Sequence, residues 1–186
     1  MLTAARGDRL AALYVLAVHT GLRQGELLGL KWADLDGNTL HVNRTLSNGV
    51  LMAPKTLVQR RSVRLSQTAV SAFTAHRKLQ LEERLRAGSE WQENGLIFAS
   101  QVGTPLSRHN LTRSWKRLLK RAGLPDTKFH NLRHTCATLL LKAGTHPKSV
   151  QALLGHSNIG ITLDTYSHLM KGWDDGLGDA IDEALD

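Results

Sequence analysis

Apolar stretches of helical spacing, each closed by a glycine, constrain the fold of this chain more than any other feature. The apolar residues of 10–17 recur at the spacing of one helix face, and Gly21 follows where a left-handed C-cap would end that helix. A long helical stretch over 67–86 is followed by Gly88 in the same way. Since each apolar face has to be buried against another element, the pattern predicts several helices packed around one core.

Strand character is confined to two short segments early in the chain. Residues 39–43 and 62–65 alternate between polar and apolar, so they predict a small antiparallel sheet with a basic hairpin region between them. Residues 96–99 are either a short strand or a buried extended segment. The remaining helices are predicted over 23–30, 107–122, 130–142, 147–154 and 159–169. The predicted fold class is therefore mainly α with a small antiparallel β-sheet (α+β), in one domain.

The charge of the chain is strongly positive and unevenly placed. With 24 Lys and Arg against 16 Asp and Glu the net charge is +8, but six of the acids follow Lys171 and leave the preceding body at +14. Such a body favours a polyanionic partner, nucleic acid before an anionic membrane surface. Charge alone leaves a merely basic soluble protein as the alternative.

The sequence predicts a cytoplasmic protein without a membrane partner. Cys136 is the only cysteine, which excludes an internal disulfide and favours a reducing compartment. Charged residues from Arg6 onward interrupt any signal-peptide pattern. No apolar run approaches the roughly 20 residues that a membrane span needs.

Two histidines at a spacing known from zinc proteases, His130 and His134, raise the question of a metal site. In such a helix a glutamate general base follows the first histidine, whereas Asn131 stands there. The acids of the body are also not grouped at the spacing of metal ligands. The sequence therefore predicts no metal ion and no cofactor.

Five short segments carry polar residues suited to phosphate chemistry. In chain order they are Thr20-Gly21-Leu22-Arg23-Gln24-Gly25-Glu26-Leu27, Pro54-Lys55-Thr56, His130 with Arg133, Leu154-Gly155-His156, and Thr165-Tyr166. Taken singly, each has an ordinary structural explanation, such as a half-buried amphipathic tyrosine. Together, in this order, they resemble the catalytic domain of the tyrosine recombinase family, which includes phage integrases and Xer-type chromosome resolvases. The resemblance covers about residues 9–170.

The resemblance implies a role for each matched residue and a reaction for the whole. The implied catalytic residues are the two arginines Arg23 and Arg133, the hairpin lysine Lys55, the histidines His130 and His156, and the nucleophile Tyr166. The implied reaction cuts and rejoins DNA strands through a covalent 3′-phosphotyrosine, without metal or ATP. Asn131 departs from the family, which often has aspartate there, and is expected to support the site from behind.

Elementary phosphoryl chemistry agrees with these roles. Arginine forks grip two phosphate oxygens and keep their charge at any working pH. A tyrosine has a reference pKa near ~10, so Tyr166 needs a base, for which His130 is the candidate. Lys55 is the candidate acid for the leaving sugar oxygen, with Lys31 and Arg60 as other cations nearby. His156 would donate a hydrogen bond to the phosphate.

Further residues are expected to support the site or to contact DNA. Glu26 lies three residues after Arg23 on one helical face, where it either orients the arginine by a salt bridge or is a plain surface charge. Cations of the hairpin region and of helix 107–122 are expected to contact DNA phosphates, with a solvated face as the alternative. They are Arg60, Arg61, Arg113, Lys116, Arg117, Lys120 and Arg121.

The chain is predicted to consist of a catalytic domain, 1–173, and an acidic tail, 174–186. Leu177, Ile181 and Leu185 recur every four residues in the tail, so it is either a frayed end or an amphipathic helix that docks in cis or on another copy. The resemblance also implies an N-terminal core-binding domain that this chain lacks, so weak DNA binding is expected of the chain by itself.

The expected partners are double-stranded DNA and further copies of the chain, as a monomer in isolation and a tetramer on nucleoid DNA. Two alternatives to a recombinase stay open at this point. One is a DNA-binding module that is catalytically silent, which would not need Tyr166 or both histidines. The other is a type IB topoisomerase-like enzyme, which shares the chemistry and relaxes supercoils.

Overall fold

The computed structural model describes residues 1–53, 60–166 and 182–183. Its helices are α1 (Ala11–Thr20), α2 (Gln24–Gly29), α3 (Gln67–Ala87), α4 (Arg108–Arg121), α5 (Asn131–Lys142), α6 (Pro147–Leu154) and α7 (Ile159–Tyr166). Its strands are β1 (Leu35–Asp36), β2 (Thr39–Val42), β3 (Thr45–Ser47), β4 (Val50–Met52) and β5 (Arg61–Arg64). Lys55 and the predicted tail, apart from 182–183, lie outside the described residues.

Helix α1 lies in the middle of the fold and packs against α3 and α5. It is apolar on more than one face, and the side chains of Leu13 and Tyr14 are fully buried. The Tyr14 hydroxyl donates to Ser114 Oγ at 3.0 Å, which ties α1 to α4. As predicted, α1 ends at Gly21, which has the left-handed φ of 61°.

The predicted antiparallel sheet is present and has one more strand than expected. Strands β1, β2 and β5 pair in that order, with Leu40 opposite Val63 and Val42 opposite Arg61. Leu40 and Val42 face the core, so the alternating pattern predicted the buried face of β2 correctly. The mainly α fold with small antiparallel sheets is therefore confirmed.

A separate hairpin of β3 and β4 lies against α2, in the region between the two predicted strands where a hairpin was expected. Its contact requires Gly25, because a Cβ there would collide with the hydroxyl of Thr45 and lie 2.9 Å from the carbonyl oxygen of Leu46. The second glycine of the first motif thus serves packing between a helix and a hairpin.

Helix α4 and the loop after it place the start of α5. The Ser107 hydroxyl accepts from the backbone N–H of Asn110 at 3.1 Å and so caps the N-terminus of α4. Trp115 Nε1 donates to the carbonyl of Thr127 at 2.7 Å, and the Trp115 ring meets Phe129 edge-on at 5.7 Å. These contacts fix the chain just before His130.

Helices α5, α6 and α7 share a small apolar cluster of their own. Its buried members are Ala137, Leu141, Val150, Leu154 and Tyr166. This cluster brings the end of α7 beside α5. None of the described helices has the length and apolar character needed to cross a membrane.

Candidate active site

Arg23 begins α2 and is held by Glu26. Its backbone N–H donates to Glu26 Oε2 at 2.8 Å, and its Nη1 donates to Oε1 at 3.0 Å. The expected salt bridge is therefore present, and Glu26 is buried rather than a surface charge. The Arg23 side chain keeps 38% of its surface exposed, which leaves part of the guanidinium open to a ligand.

Arg61 of β5 holds the same carboxylate from the other side. Its Nη2 lies 2.9 Å from Glu26 Oε2, and its Nε donates to the carbonyl of Leu153 at 2.7 Å. Only 8% of the side chain is exposed. DNA contact by Arg61 stays a prediction; in this structure its guanidinium takes part in an ion pair that joins β5, α2 and the end of α6.

The charge balance around Glu26 is reflected in its pKa. Burial alone would raise the pKa of the Glu26 carboxyl. The hydrogen bonds and charges of Arg61 and Arg23 outweigh burial and lower that pKa below its ordinary value. Glu26 is therefore ionised at neutral pH and compensates one of the two guanidinium charges beside it.

Arg133 of α5 is the most deeply buried cation of the site, at 4% exposure. Its Nη1 donates to the carbonyl of Gly21 at 2.7 Å. Its Nη2 is buried without a hydrogen-bond partner among the described residues. Burial, followed by repulsion from Arg23, lowers the pKa of Arg133 to about 10, so the group stays charged at neutral pH. A buried, charged donor of this kind calls for an anionic acceptor.

His156 follows Gly155, whose left-handed φ of 66° ends α6. The Gly155 carbonyl accepts from Arg23 Nη2 at 3.4 Å. A Cβ on Gly155 would lie 2.8 Å from Arg61 Nη1. The glycine of the Leu-Gly-His motif is thus required both by its backbone angle and by the buried guanidinium next to it.

The His156 ring is neutral and oriented. Burial, followed by the charges of Arg133 and Arg23, lowers the pKa of His156 to about 4. Its Nδ1 lies 2.9 Å from the hydroxyl of Thr162, a fully buried residue of α7. When that hydroxyl donates to Nδ1, the proton of the neutral ring is on Nε2, where it is free to bind a phosphate oxygen.

Tyr166, the last residue of α7, is 4% exposed. Its hydroxyl lies 2.8 Å from Nδ1 of His134. Burial raises the pKa of the phenol, and the charge of Arg133 opposes that rise. The predicted nucleophile is therefore beside the second arginine, with an imidazole on its reacting oxygen.

The predicted base, His130, is not the histidine that contacts the nucleophile. His130 is the exposed N-cap of α5, and its ring meets the ring of His134 at 90° with centroids 5.3 Å apart. Burial, followed by the charges of His134 and Arg133, lowers the pKa of His130 below its ordinary value. Sequence reasoning considered His134 only as a zinc ligand. Its place one turn after His130 was the signal that could have found it.

Asn131 and Lys55 receive no structural support as site residues. Asn131 is exposed, and its side chain makes no hydrogen bond to another described residue. Lys55 belongs to 54–59, outside the described residues. Within the described ranges, no group of three or more His, Cys, Asp or Glu is placed to hold a metal ion.

The predicted DNA-contacting cations of α4 lie away from this site. Arg113, Arg117 and Arg121 line an open groove of about 650 Å³ that includes Leu10, at the beginning of α1. Gly21 and the site lie at the other end of that helix, ~15 Å away for ten residues. Arg121 is paired with Asp8 at 2.9 Å.

The other cations of that prediction are exposed. Lys116 pairs with Asp126 at 3.0 Å, whereas Lys120 and Arg60 are on the surface. DNA contact by the exposed members remains a prediction.

Comparison with known proteins adds independent findings. Residues 2–172 match the phage integrase family. A tyrosine recombinase XerC-like protein of Caldanaerobacter subterraneus subsp. tengcongensis is 40% identical over 185 residues, which cover 90% of this chain and 47% of the relative. An integrase of Streptomyces ambofaciens is 33% identical over 180 residues, covering 89% of this chain and 46% of the relative. The chain thus spans about half the length of the curated relatives it matches.

A solved structure agrees with these relatives. The Tn1549 transposon integrase in complex with transposon right end DNA superposes with a TM-score of 0.76 at 29% identity, covering 89% of this chain and 57% of that one. The family match runs over nearly the whole chain and includes the arginines, histidines and tyrosine found around one centre. This chain therefore belongs to the phage integrase family, the tyrosine recombinases.

Proposed function

We propose that the chain is the catalytic part of a site-specific DNA recombinase or integrase that cleaves and rejoins strands through a 3′-phosphotyrosine. One observation carries the proposal: Arg133, whose buried Nη2 has no hydrogen-bond partner among the described residues, is close to both Arg23 and Tyr166. The electrostatic coupling of Arg133 to both Arg23 and Tyr166 supports this arrangement. The family membership agrees with it.

The phosphate is bound by the arginines and by the neutral histidine. Arg133 Nη2 and the exposed part of Arg23 supply charged donors for its non-bridging oxygens. The Nε2–H of His156 supplies a third donor, which is fixed by Thr162. Because negative charge on these oxygens grows as phosphorus becomes five-coordinate, donors that are already in place stabilise the transition state more than the ground state.

Strand cleavage then exchanges one ester for another. The Tyr166 oxygen attacks phosphorus, its proton passes to a histidine of α5, and the bond from phosphorus to the 5′ oxygen breaks. The leaving oxygen takes a proton from an acid, for which Lys55 is the sequence-based candidate. Since the phosphotyrosine conserves the ester, the reverse attack by a 5′ hydroxyl rejoins strands without ATP.

The proposed partners are double-stranded DNA and further copies of the chain assembled on it, in the cytoplasm and at the nucleoid. The net charge of +14 before Gly172 supports a polyanionic partner. The DNA in the Tn1549 integrase structure supports duplex DNA in particular. Sedimentation of the chain with and without duplex DNA tests the assembly: the proposal expects a monomer alone and a tetramer on DNA.

A covalent adduct tests the reaction. Nicked suicide duplexes tiled across the DNA that flanks the gene are incubated with the chain and a chelator, and SDS-resistant protein–DNA adducts are counted. We expect an adduct with the wild type and none with Tyr166→Phe. Tyr14→Phe is the matched control, because this buried tyrosine contacts Ser114 and not the site. DNA binding without any adduct would favour the silent binding module and contradict the proposal.

A further inference from the structure

The structure gives His134 a contact that neither the sequence motifs nor the family resemblance assigns. His134 follows Arg133 on α5, and its Nδ1 is the described hydrogen-bond partner of the Tyr166 hydroxyl, at 2.8 Å. The two residues are 32 positions apart in the chain, so the contact depends on how α7 packs on α5. The partner of the nucleophile is therefore selected by the tertiary structure.

The burial of Tyr166 makes a proton acceptor necessary. The phenol is 4% exposed, so water has little access to the hydroxyl and burial disfavours the phenolate. An unassisted phenol in such a place is a poor nucleophile at neutral pH. An imidazole nitrogen at hydrogen-bond distance supplies the acceptor that attack on phosphorus requires.

The positions of the two α5 histidines assign this part to His134 rather than to His130. The ring of His134 neighbours the rings of both His130 and Tyr166, with centroid distances of 5.3 and 6.1 Å, and its Nδ1 makes the hydrogen bond to the Tyr166 hydroxyl. A proton that leaves the phenol reaches His134 first. His134 is itself exposed, so the proton can pass on to solvent from its far side.

We propose that His134 takes the proton from Tyr166 during attack, an inference that rests on the function proposed above. The Oη–H bond of Tyr166 breaks as an Nδ1–H bond forms on His134, and the freed electron pair forms the bond from oxygen to phosphorus. The bond to the 5′ oxygen breaks, and that oxygen is protonated by a separate acid. During rejoining His134 returns its proton to the phenol. The free protein must therefore hold His134 with Nδ1 unprotonated and Nε2 protonated.

Histidine side-chain ¹⁵N NMR tests this requirement without DNA. We expect an acceptor-type Nδ1 on His134 at neutral pH, with a shift that changes in Tyr166→Phe and a signal that disappears in His134→Ala. A protonated Nδ1, or a signal that ignores Tyr166→Phe, overturns the inference. Because no substrate is involved, this result is independent of whether the proposed function holds.

Adduct formation on nicked duplexes tests the proton transfer itself. His134→Asn keeps a polar group near the position of Nδ1 but cannot take a proton at neutral pH, and we expect it to slow adduct formation about 100- to 10,000-fold. Leu139→Ala is the control, since this residue of α5 is 54% exposed and outside the site. Wild-type rates in His134→Asn would reduce His134 to a positioning residue and overturn the proposal.

A 5′-bridging phosphorothiolate in the same duplex separates the two proton transfers. Its sulfur leaves without protonation, so it restores variants that lack the acid and leaves variants that lack the base impaired. We expect His134→Asn to stay slow on this substrate. Recovery would assign His134 to the leaving group and overturn the inference. If the wild type forms no adduct on any duplex, the proposed function has failed, and the NMR result alone decides on His134.

Discussion

The two halves of the site are built very differently. On the proposed phosphate side, Glu26 forms ion pairs with Arg23 and Arg61, and these guanidinium groups also donate to the carbonyls of Gly155 and Leu153. Strand β5, helix α2 and the end of α6 are thereby joined through charged contacts. On the nucleophile side, Tyr166 is held by a small apolar cluster and one described hydrogen bond.

This difference matches what the proposed reaction requires of each half. Phosphate donors stabilise a transition state only if they are in place before the reaction, which requires support that outlasts substrate binding. A nucleophile must leave its resting partner and form a bond to phosphorus, so a single exchangeable hydrogen bond suits it. Under the proposed mechanism, the rigid half is therefore where charge develops, and the reacting oxygen is held by fewer contacts.

Removing Arg61 is the strongest test of the rigid half. Arg61→Ala leaves Glu26 buried with one partner fewer, and we expect a loss of about 3–5 kcal/mol in the free energy of unfolding. Urea denaturation measures it, and Arg60→Ala is the control because Arg60, the residue before Arg61, is exposed. Equal stability of the two variants would show that the Arg61 ion pair stabilises the fold no more than an exposed arginine does.

Two glycines separate backbone strain from the contact with Arg61. Gly155 and Gly123 have nearly the same φ, 66° and 65°, but a Cβ meets Arg61 only at Gly155 and open space at Gly123. We expect Gly123→Ala to cost ~1 kcal/mol and Gly155→Ala about 2–3 kcal/mol, with slower adduct formation only in the latter. Denaturation curves of the two variants give the difference in the free energy of unfolding. Identical losses would show that the contact with Arg61 adds no cost at Gly155.

The carboxylate at the centre of the rigid half predicts a pH dependence. Because the pKa of Glu26 is lowered in the folded protein, its ionised form stabilises the fold above the ordinary carboxyl pKa. That stability is lost as the pH falls below about 4.5 and through the folded pKa. The advantage in Tm of the wild type over Glu26→Gln should therefore shrink from pH 6 to pH 3. An advantage that does not vary with pH would contradict the ion pair.

The smallest effect concerns the hydroxyl that orients His156. Thr162→Val keeps the shape of a fully buried side chain and removes the hydrogen bond to Nδ1, so we expect a loss of about 1 kcal/mol and a several-fold slower adduct. Thr165→Val is the matched control, because its hydroxyl bonds to the carbonyl of Ile161 on the exposed face of the same helix. If the two variants form the adduct at the same rate, the Thr162 hydroxyl does not contribute to catalysis.

Local features of the sequence predicted much of this structure. Ser107, Gly21 and Pro147 gave helix ends that depend on neighbours within a few residues, and the structure has them where they were expected. The arginines, histidines and tyrosine were recognised because five short motifs occur in a fixed order. The motifs could be recognised without knowing which distant segments contact each other.

Contacts between distant segments could not be read in the same way. The burial of Arg61 results from Glu26 and Leu153, which are 35 and 92 residues away in the chain. The contact of His134 with Tyr166 likewise needs α7 to pack on α5. The tertiary structure therefore places Arg61, which looks solvent-facing in the sequence, in a buried ion pair. It also brings His134, which lies outside the motif, into contact with Tyr166.

Two described parts of the chain, on either side of Lys55 in the sequence, are attached to α2. Before the lysine, the chain is attached to α2 by the close fit of Gly25 against Thr45. After it, the chain is attached to the same helix through Arg61 and Glu26. Any displacement of α2 is therefore transmitted to the β3–β4 hairpin and to β5 together.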